Sequence, residues 1–535
     1  MSSFPNVGHP VPIENEPASS LDRSGIGGQP RGLTTLFFTE MWERFSYYGM
    51  RALLILYMTK AAADGGLGFE TKRAALIYGT YTMSVYLLSI LGGFIADNFI
   101  GARRAVLIGG IVIATGHFSM ACTSHFTFFA GLVLITLGTG LLKPNISTMV
   151  GSLYSATDAR RDAGFSIFYM GINIGALISP LVTGYLAQDD SWKAHLAAWG
   201  LDPRHSWHWG FAAAGVGMTL GLVMYLLQQD RLAAVGNAPA AHQPRPWAKL
   251  GVVGLASLIL IAAMMLCDGG PWIWLGNFVR EKLGINGLAS FVSVHPHLGH
   301  YVVGLLFAIQ IAAVIFFAFR PDEQSKRIAA ILVFFFAAEI FWAIFEQAGS
   351  SMSLFADQLT DNRLLGWSFP SSWWQSVNSA WVIALAPVFA WLWIKLGARQ
   401  PSSPVKFTLG LLFVALSFVW MIPAARLVGA GKVSPIWLLG LYFFQTVGEM
   451  CLSPVGLSTM AKLAPQRLLG LVMGIWFLAD ALGSKLAGVL ASDFTSEDPG
   501  ELVTFFSHQA IGVGVATLVL FALVPWTKKL MGGVK

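Results

Sequence analysis

The chain has 535 residues, of which 55% are hydrophobic and only 12% charged. Soluble domains carry about 25% charged residues, and apolar runs of 18 residues or more recur along the whole length, which excludes a large water-soluble protein. The net charge of +6 is spread over short segments with no basic stripe, which argues against nucleic acid, and the three cysteines form neither a disulfide framework nor a metal set.

Residues 1–30 are polar and rich in Pro, Gly and Ser, with no apolar h-region. No cleaved signal peptide is expected there, and residues 1–32 read as a flexible cytoplasmic tail. Fourteen apolar segments follow, at 33–60, 74–97, 104–122, 126–150, 163–187, 208–228, 247–266, 301–319, 328–350, 371–395, 405–424, 434–461, 468–490 and 504–526. An even number places both termini on one side. With the N-terminus inside, the inner segments hold 20 of the 34 Lys and Arg residues and the outer loops 10. That bias sets membrane orientation, so both termini are expected in the cytoplasm.

The first six and the last six segments carry the intramembrane polar residues. Segments 247–266 and 301–319 carry almost none, and Asp268–His300 between them reads as a Gly- and Trp-rich loop. The expected fold is therefore an all-α multi-pass membrane protein. It comprises a six-helix bundle over 33–230, a linker with an inserted two-helix hairpin over 231–326, a second six-helix bundle over 327–527 and a cytoplasmic C-terminus over 528–535. Two six-helix bundles around a central cavity is the major facilitator architecture, whose substrate site lies between the halves.

The first segment holds Glu40, Glu43, Arg44, Tyr47, Tyr48 and Arg51. At 100° per residue, Glu40, Arg44, Tyr47 and Arg51 fall within about 60° of one another. Charges within a membrane face an interior or a cavity and usually mark a pathway. Two carboxylates at i and i+3 with a guanidinium at i+4 neutralise one another, and crowded carboxylates also favour taking up a proton. The plainer alternative is a charge-balanced knot that only holds helices together. In the second segment Tyr86 is placed to line a cavity, while Tyr78 reads as an interface aromatic. Gly93, Asp97, Gly101, Arg103 and Arg104 resemble the major facilitator loop signature, where Asp97 is expected to cap the next helix and pair with an arginine.

Lys143 is nearly the only cation in segments two to six, and Glu40 or Glu43 are its candidate partners. No G-x-x-x-x-G-K-[ST] loop accompanies it, so an ATP-driven machine is not expected. Asn173 in the fifth segment supplies an amide for a peptide backbone or for inter-helix bonding. In the second half, Glu339 and Glu346 share a face, Asn378 lies mid-segment, and Glu449 is an isolated carboxylate in Gly448-Glu449-Met450-Cys451-Leu452-Ser453-Pro454. Asp480 and Lys485 either pair or sit at the outer end of their helix. Cations in one half and an acid in the other suit a zwitterion such as a short peptide.

The run Glu40-Met-Trp-Glu43-Arg44-Phe45-Ser46-Tyr47-Tyr48-Gly49 resembles the E-x-x-E-R-F-x-Y-Y-G signature of proton-dependent oligopeptide transporters, the POT or PTR family. Phe168–Gly175 resembles that family's F-Y-x-x-x-N-x-G signature, and Lys143-Pro144-Asn145, Phe341-Trp342, Glu346-Gln347, Gly448-Glu449 and Ser453-Pro454 occur in family order. The hairpin is similar to that of bacterial fourteen-helix members.

The resemblance implies a transporter rather than an enzyme, importing di- and tripeptides by proton symport with no cofactor beyond the proton gradient, working as a monomer. Glu40, Glu43, Arg44 and Lys143 would couple protons. Arg44, Tyr47, Tyr48, Tyr86, Lys143, Asn173, Asn378, Glu449, Ser453 and Trp476 would bind substrate, with Arg44 and Lys143 at the carboxyl end and Glu449 at the amino end. Arg51 and Glu346 would bridge the halves at the outer gate. This chain lacks the second-segment histidine of animal members, so coupling rests on carboxylates, and Ser379 and Ser484 depart from common family residues. An alternative keeps the fold and carries nitrate or another small anion, leaving Glu449 unexplained.

Overall fold

A computed structural model describes residues 22–155, 158–239, 245–266, 298–364, 366–464 and 469–534. Fourteen long helices lie among them. They are α1 Arg31–Thr59, α2 Thr71–Ile95, α3 Ala102–Met120, α4 His125–Ser152, α5 Arg161–Gln188, α6 Ser206–Gln228, α7 Trp247–Leu266, α8 Leu298–Ala318, α9 Glu323–Phe345, α10 Gln375–Leu396, α11 Ser403–Leu427, α12 Ile436–Leu463, α13 Leu469–Ala491 and α14 Pro499–Leu530. Each coincides with one expected segment, and α14 runs several residues beyond it at both ends. The expected loop Asp268–His300 falls largely outside the described residues, as do the first 21 residues of the tail.

Nine helices among the described residues are long and apolar enough to cross a bilayer. α1 is not counted among them, since Glu40, Glu43, Arg44 and Arg51 interrupt its apolar run. Apolar side chains point outward over much of the surface, such as Leu220, Leu227, Ile383, Ile394 and Leu518. Such a surface is tolerated where the surroundings are lipid rather than water.

The first bundle is built on α3 against α4, α1 against α5 and α6, and α2 against α4. The second is built on α11 against α12 and α14, with α9 against α13. The inserted hairpin is divided between them: α7 packs on α2, whereas α8 packs on α9. Two short helices were not foreseen, Asp190–Ala198 and Ser351–Gln358. The latter follows a break at Gly349 that ends α9 earlier than the apolar pattern suggested. A two-residue antiparallel ladder pairs Arg363 with Ser368 and Leu364 with Trp367.

The bundles meet in the half of the molecule away from the start of α1 and the end of α14. There α2 crosses α13 and α5 crosses α10. Gln188 Nε2 donates to Ser371 Oγ (2.9 Å), Trp373 Nε1 to the Leu181 carbonyl (3.1 Å), Ser376 Oγ to the Leu177 carbonyl (2.7 Å) and Lys485 Nζ to Thr80 Oγ1 (2.8 Å). At the α2–α13 crossing the backbones of Gly79 and Gly488 touch, and a Cβ on Gly488 would lie 2.6 Å from Gly79 Cα. Gly488→Leu is expected to wedge this crossing open, at roughly 1–3 kcal/mol of overpacking. Thermal melting of the purified variant should fall by several degrees, and an unchanged melting temperature would refute the close contact.

Candidate functional site

The site grows from α1. Glu40, Arg44, Tyr47 and Arg51 are buried, as their shared helical face requires, and so is Glu43 beside them. Arg44 Nε lies 3.1 Å from Glu40 Oε1 and also contacts Glu43 Oε2. The Arg44 guanidinium sits 5.4 Å from the Tyr47 ring centre. Three buried atoms of this trio have no protein partner: Glu40 Oε2, Glu43 Oε1 and Arg44 Nη2. Two are acceptors suited to a proton and one is a donor suited to an anion. At Gly175 of the Asn173-x-Gly175 pair, a Cβ would come 2.3 Å from the Met41 carbonyl. Only glycine lets α5 approach α1 so closely beside Arg44.

One turn on from Tyr47, Arg51 reaches the other bundle. It pairs with Glu346, just beyond the end of α9, and donates from Nε to the Tyr78 hydroxyl. All three are buried. Tyr78 is thus part of a polar cluster rather than the interface aromatic expected of it. A Cβ on Gly349 would collide with the Tyr78 hydroxyl at 1.7 Å, so the break after α9 makes room for this cluster.

Lys143 does not pair with Glu40 or Glu43, contrary to the expectation above; Arg44 has taken both. Its ammonium lies instead over the Tyr86 ring, 3.6 Å from the centre, a cation–π contact. From the second bundle, Glu449 is buried but not isolated. Asn378 Nδ2 donates to Glu449 Oε2 at 3.1 Å and to Thr446 Oγ1 at 3.0 Å. Tyr169 of α5 reaches the same carboxylate from the first bundle. Tyr48, edge-on to Tyr47, lies within electrostatic reach of Arg44, Arg51, Glu346 and Glu449. Tyr48 thus lies within reach of charged groups from both bundles.

Other expected residues are placed differently. The Asn173 amide donates to the Tyr169 carbonyl one turn back (3.0 Å), so its NH2 group supports its own helix. Trp476 is buried edge-on to Phe407, 6.4 Å between ring centres, and the half-buried Ser453 has a hydroxyl with no protein partner. Asp97 neither caps α3, whose N-cap is Gly101, nor joins an ion pair among the described residues. A π-turn over Ala96–Ile100 carries it away from the helix start. Arg103 instead holds the segment after α6, donating from Nε to the Val235 carbonyl at 2.8 Å, and Arg104 is exposed on α3.

Two residues were missed. Tyr169 was legible as Asn173's neighbour one turn back, on the same face. Asp480, for which the sequence offers a pair with Lys485 or the outer end of its helix, is buried mid-helix facing Tyr86. A groove of about 570 Å3 lined by Met41, Trp42, Phe45, Ile178, Val182 and Trp209 lies on the apolar side of α1. Its lining offers nothing to a polar cargo.

Two helical bundles, a hairpin shared between them and charged groups buried where the bundles meet define a multi-pass membrane protein. A family profile described as POT family matches residues 103–502, and the chain belongs to that family. It is 38% identical to an uncharacterized transporter, YclF, of Bacillus subtilis, over 98% of this chain and 99% of the relative. It is also 38% identical to the peptide transporter YePEPT of Yersinia enterocolitica, over 94% and 96%. A di-/tripeptide transporter of Lactococcus lactis is 36% identical over 95% and 98%. Among solved structures, a peptide transporter POT in complex with sulfate superposes with a TM-score of 0.79 at 38% identity, covering 96% of this chain and 98% of that one.

Removing one partner of a buried ion pair leaves the other charge uncompensated, at about 3–5 kcal/mol. Arg51→Gln and Glu346→Gln are each expected to lower the melting temperature strongly, and the double variant should recover most of the loss. Additive losses in a double-mutant cycle would show that the two do not act as a pair.

Proposed function

We propose that this protein is a proton-coupled symporter that imports di- and tripeptides by alternating access. It works as a monomer in the inner membrane with both termini cytoplasmic. The observation that carries the reading is the division of charge. Arg44 and Lys143 come from the first bundle, Glu449 from the second, and phenols and an amide lie between. A peptide's carboxylate would meet the cations, for which a guanidinium is well shaped, and its ammonium would meet Glu449. The naming of the Yersinia and Lactococcus relatives as peptide transporters supports the cargo. So does a POT family transporter solved in complex with a thioalcohol-conjugated peptide, 32% identical to this chain with a TM-score of 0.78.

Coupling follows from Arg44 being shared. While Glu40 and Glu43 are ionised they occupy its Nε. A proton on either carboxylate weakens that hold and releases the guanidinium toward the substrate carboxylate. With the orientation expected from the loop charges, the closed half of the molecule is the outer one, held by Arg51 and Glu346. Substrate and proton together then permit the bundles to rock; a ligand shifts such an equilibrium only by its differential affinity for the two states.

The test is uptake into proteoliposomes under an imposed proton gradient. Lys143→Ala is expected to abolish gradient-driven accumulation of dipeptide, a loss of at least about 100-fold in line with the removal of a charged binding group. Undiminished accumulation would reject the coupling role. Glu449→Gln should cripple dipeptide uptake; if the protein instead carries nitrate and Glu449→Gln leaves that flux intact, the anion reading replaces this one.

A further inference from the structure

The counter-charge of Lys143 is unexpected. Glu40 and Glu43 are engaged by Arg44. Asp480 is a further carboxylate within electrostatic reach of Lys143. Asp480 belongs to α13 of the second bundle and Lys143 to α4 of the first. Between them stands Tyr86 of α2, with its hydroxyl in hydrogen-bonding reach of Asp480 and its ring 3.6 Å beneath the Lys143 ammonium. Asp480 is over nine-tenths buried and its Oδ1 has no protein partner.

The other charged groups around it have their own partners. Arg51 of α1 is paired with Glu346 at the end of α9, and Glu449 of α12 is held by Asn378. Glu339 of α9 faces Gln310 of the hairpin helix α8. Lys485, on the same helix as Asp480, donates to Thr80. Lys143 is left as the cation that Asp480 serves.

We propose that Asp480 is a tethered counter-ion for Lys143, a carboxylate fixed in the opposite bundle that a bound anionic group has to replace. Resting on the reading of Lys143 as a carboxylate-binding residue, it makes Asp480 a specificity-determining residue. Its charge lowers the affinity of the empty site for any anion, and a substrate carboxylate that takes Lys143 releases an attraction between the bundles. A peptide lacking the terminal carboxylate does neither.

The experiment is a binding titration on purified full-length protein at neutral pH with three probes: Ala-Ala, C-terminally amidated Ala-Ala and inorganic sulfate. Replacing the competing charge in Asp480→Asn is expected to tighten Ala-Ala and sulfate roughly tenfold and to leave the amide unchanged. Asp480→Glu, which restores the charge, should bind as the wild type does. Equal or weaker binding of both anions by Asp480→Asn, or an equal gain for the amide, would overturn the proposal. Should that variant fail to fold, Asp480→Thr, which keeps a hydroxyl for Tyr86, carries the same expectation. If the wild type binds no Ala-Ala at all, the peptide reading fails, and the sulfate titration alone decides the role of Asp480.

Discussion

Four charged side chains on one helix in an apolar phase impose the constraint from which the rest follows. An ion taken out of water and left unpaired costs several kcal/mol even after relaxation. Each charge on α1 must therefore find a partner, and the helix solves the problem in two ways. Arg44 is paired through its Nε with Glu40 and Glu43 of its own helix, so no movement of one bundle against the other can part them. Arg51 is satisfied by Glu346 across the interface, so its pairing exists only while that half of the molecule is closed. A trio closed within one helix and a pair that crosses the interface are thus carried on one rigid rod, about two turns apart.

The surrounding architecture preserves this arrangement. Backbones approach where glycine allows, at Gly175 beside Arg44 and at Gly349 beside Tyr78, and each approach brings a polar group within reach of a charge. The outward faces are apolar and face lipid at little cost. The hairpin spans the division, with α7 on the first bundle and α8 on the second, so any rocking of the bundles has to be taken up between those two helices. The closed half is fastened by direct hydrogen bonds between α5 and the start of α10 as well as by the ion pair. Parting the bundles there would break several bonds at once.

The number, order and approximate ends of the fourteen helices were legible in the chain, because an apolar run long enough to cross a bilayer has few alternatives. The polar face of α1 was equally legible, since helical periodicity fixes which side chains share a face. The Glu40–Arg44 contact follows from that i, i+4 spacing, whereas the contact between the adjacent Glu43 and Arg44 does not.

Partners on other helices were not legible. A buried lysine prefers a carboxylate, which pointed Lys143 to Glu40 or Glu43, but the packing of α2 against α4 placed it over the Tyr86 ring. Asp97 was moved off the start of α3 by a π-turn, and Glu449 gained Asn378 from a helix more than fifty residues away in the chain. Periodicity acts within a helix and states what must be buried. Which buried group meets which is decided by how the helices cross, through contacts between residues far apart in the chain, and those come only from the tertiary structure.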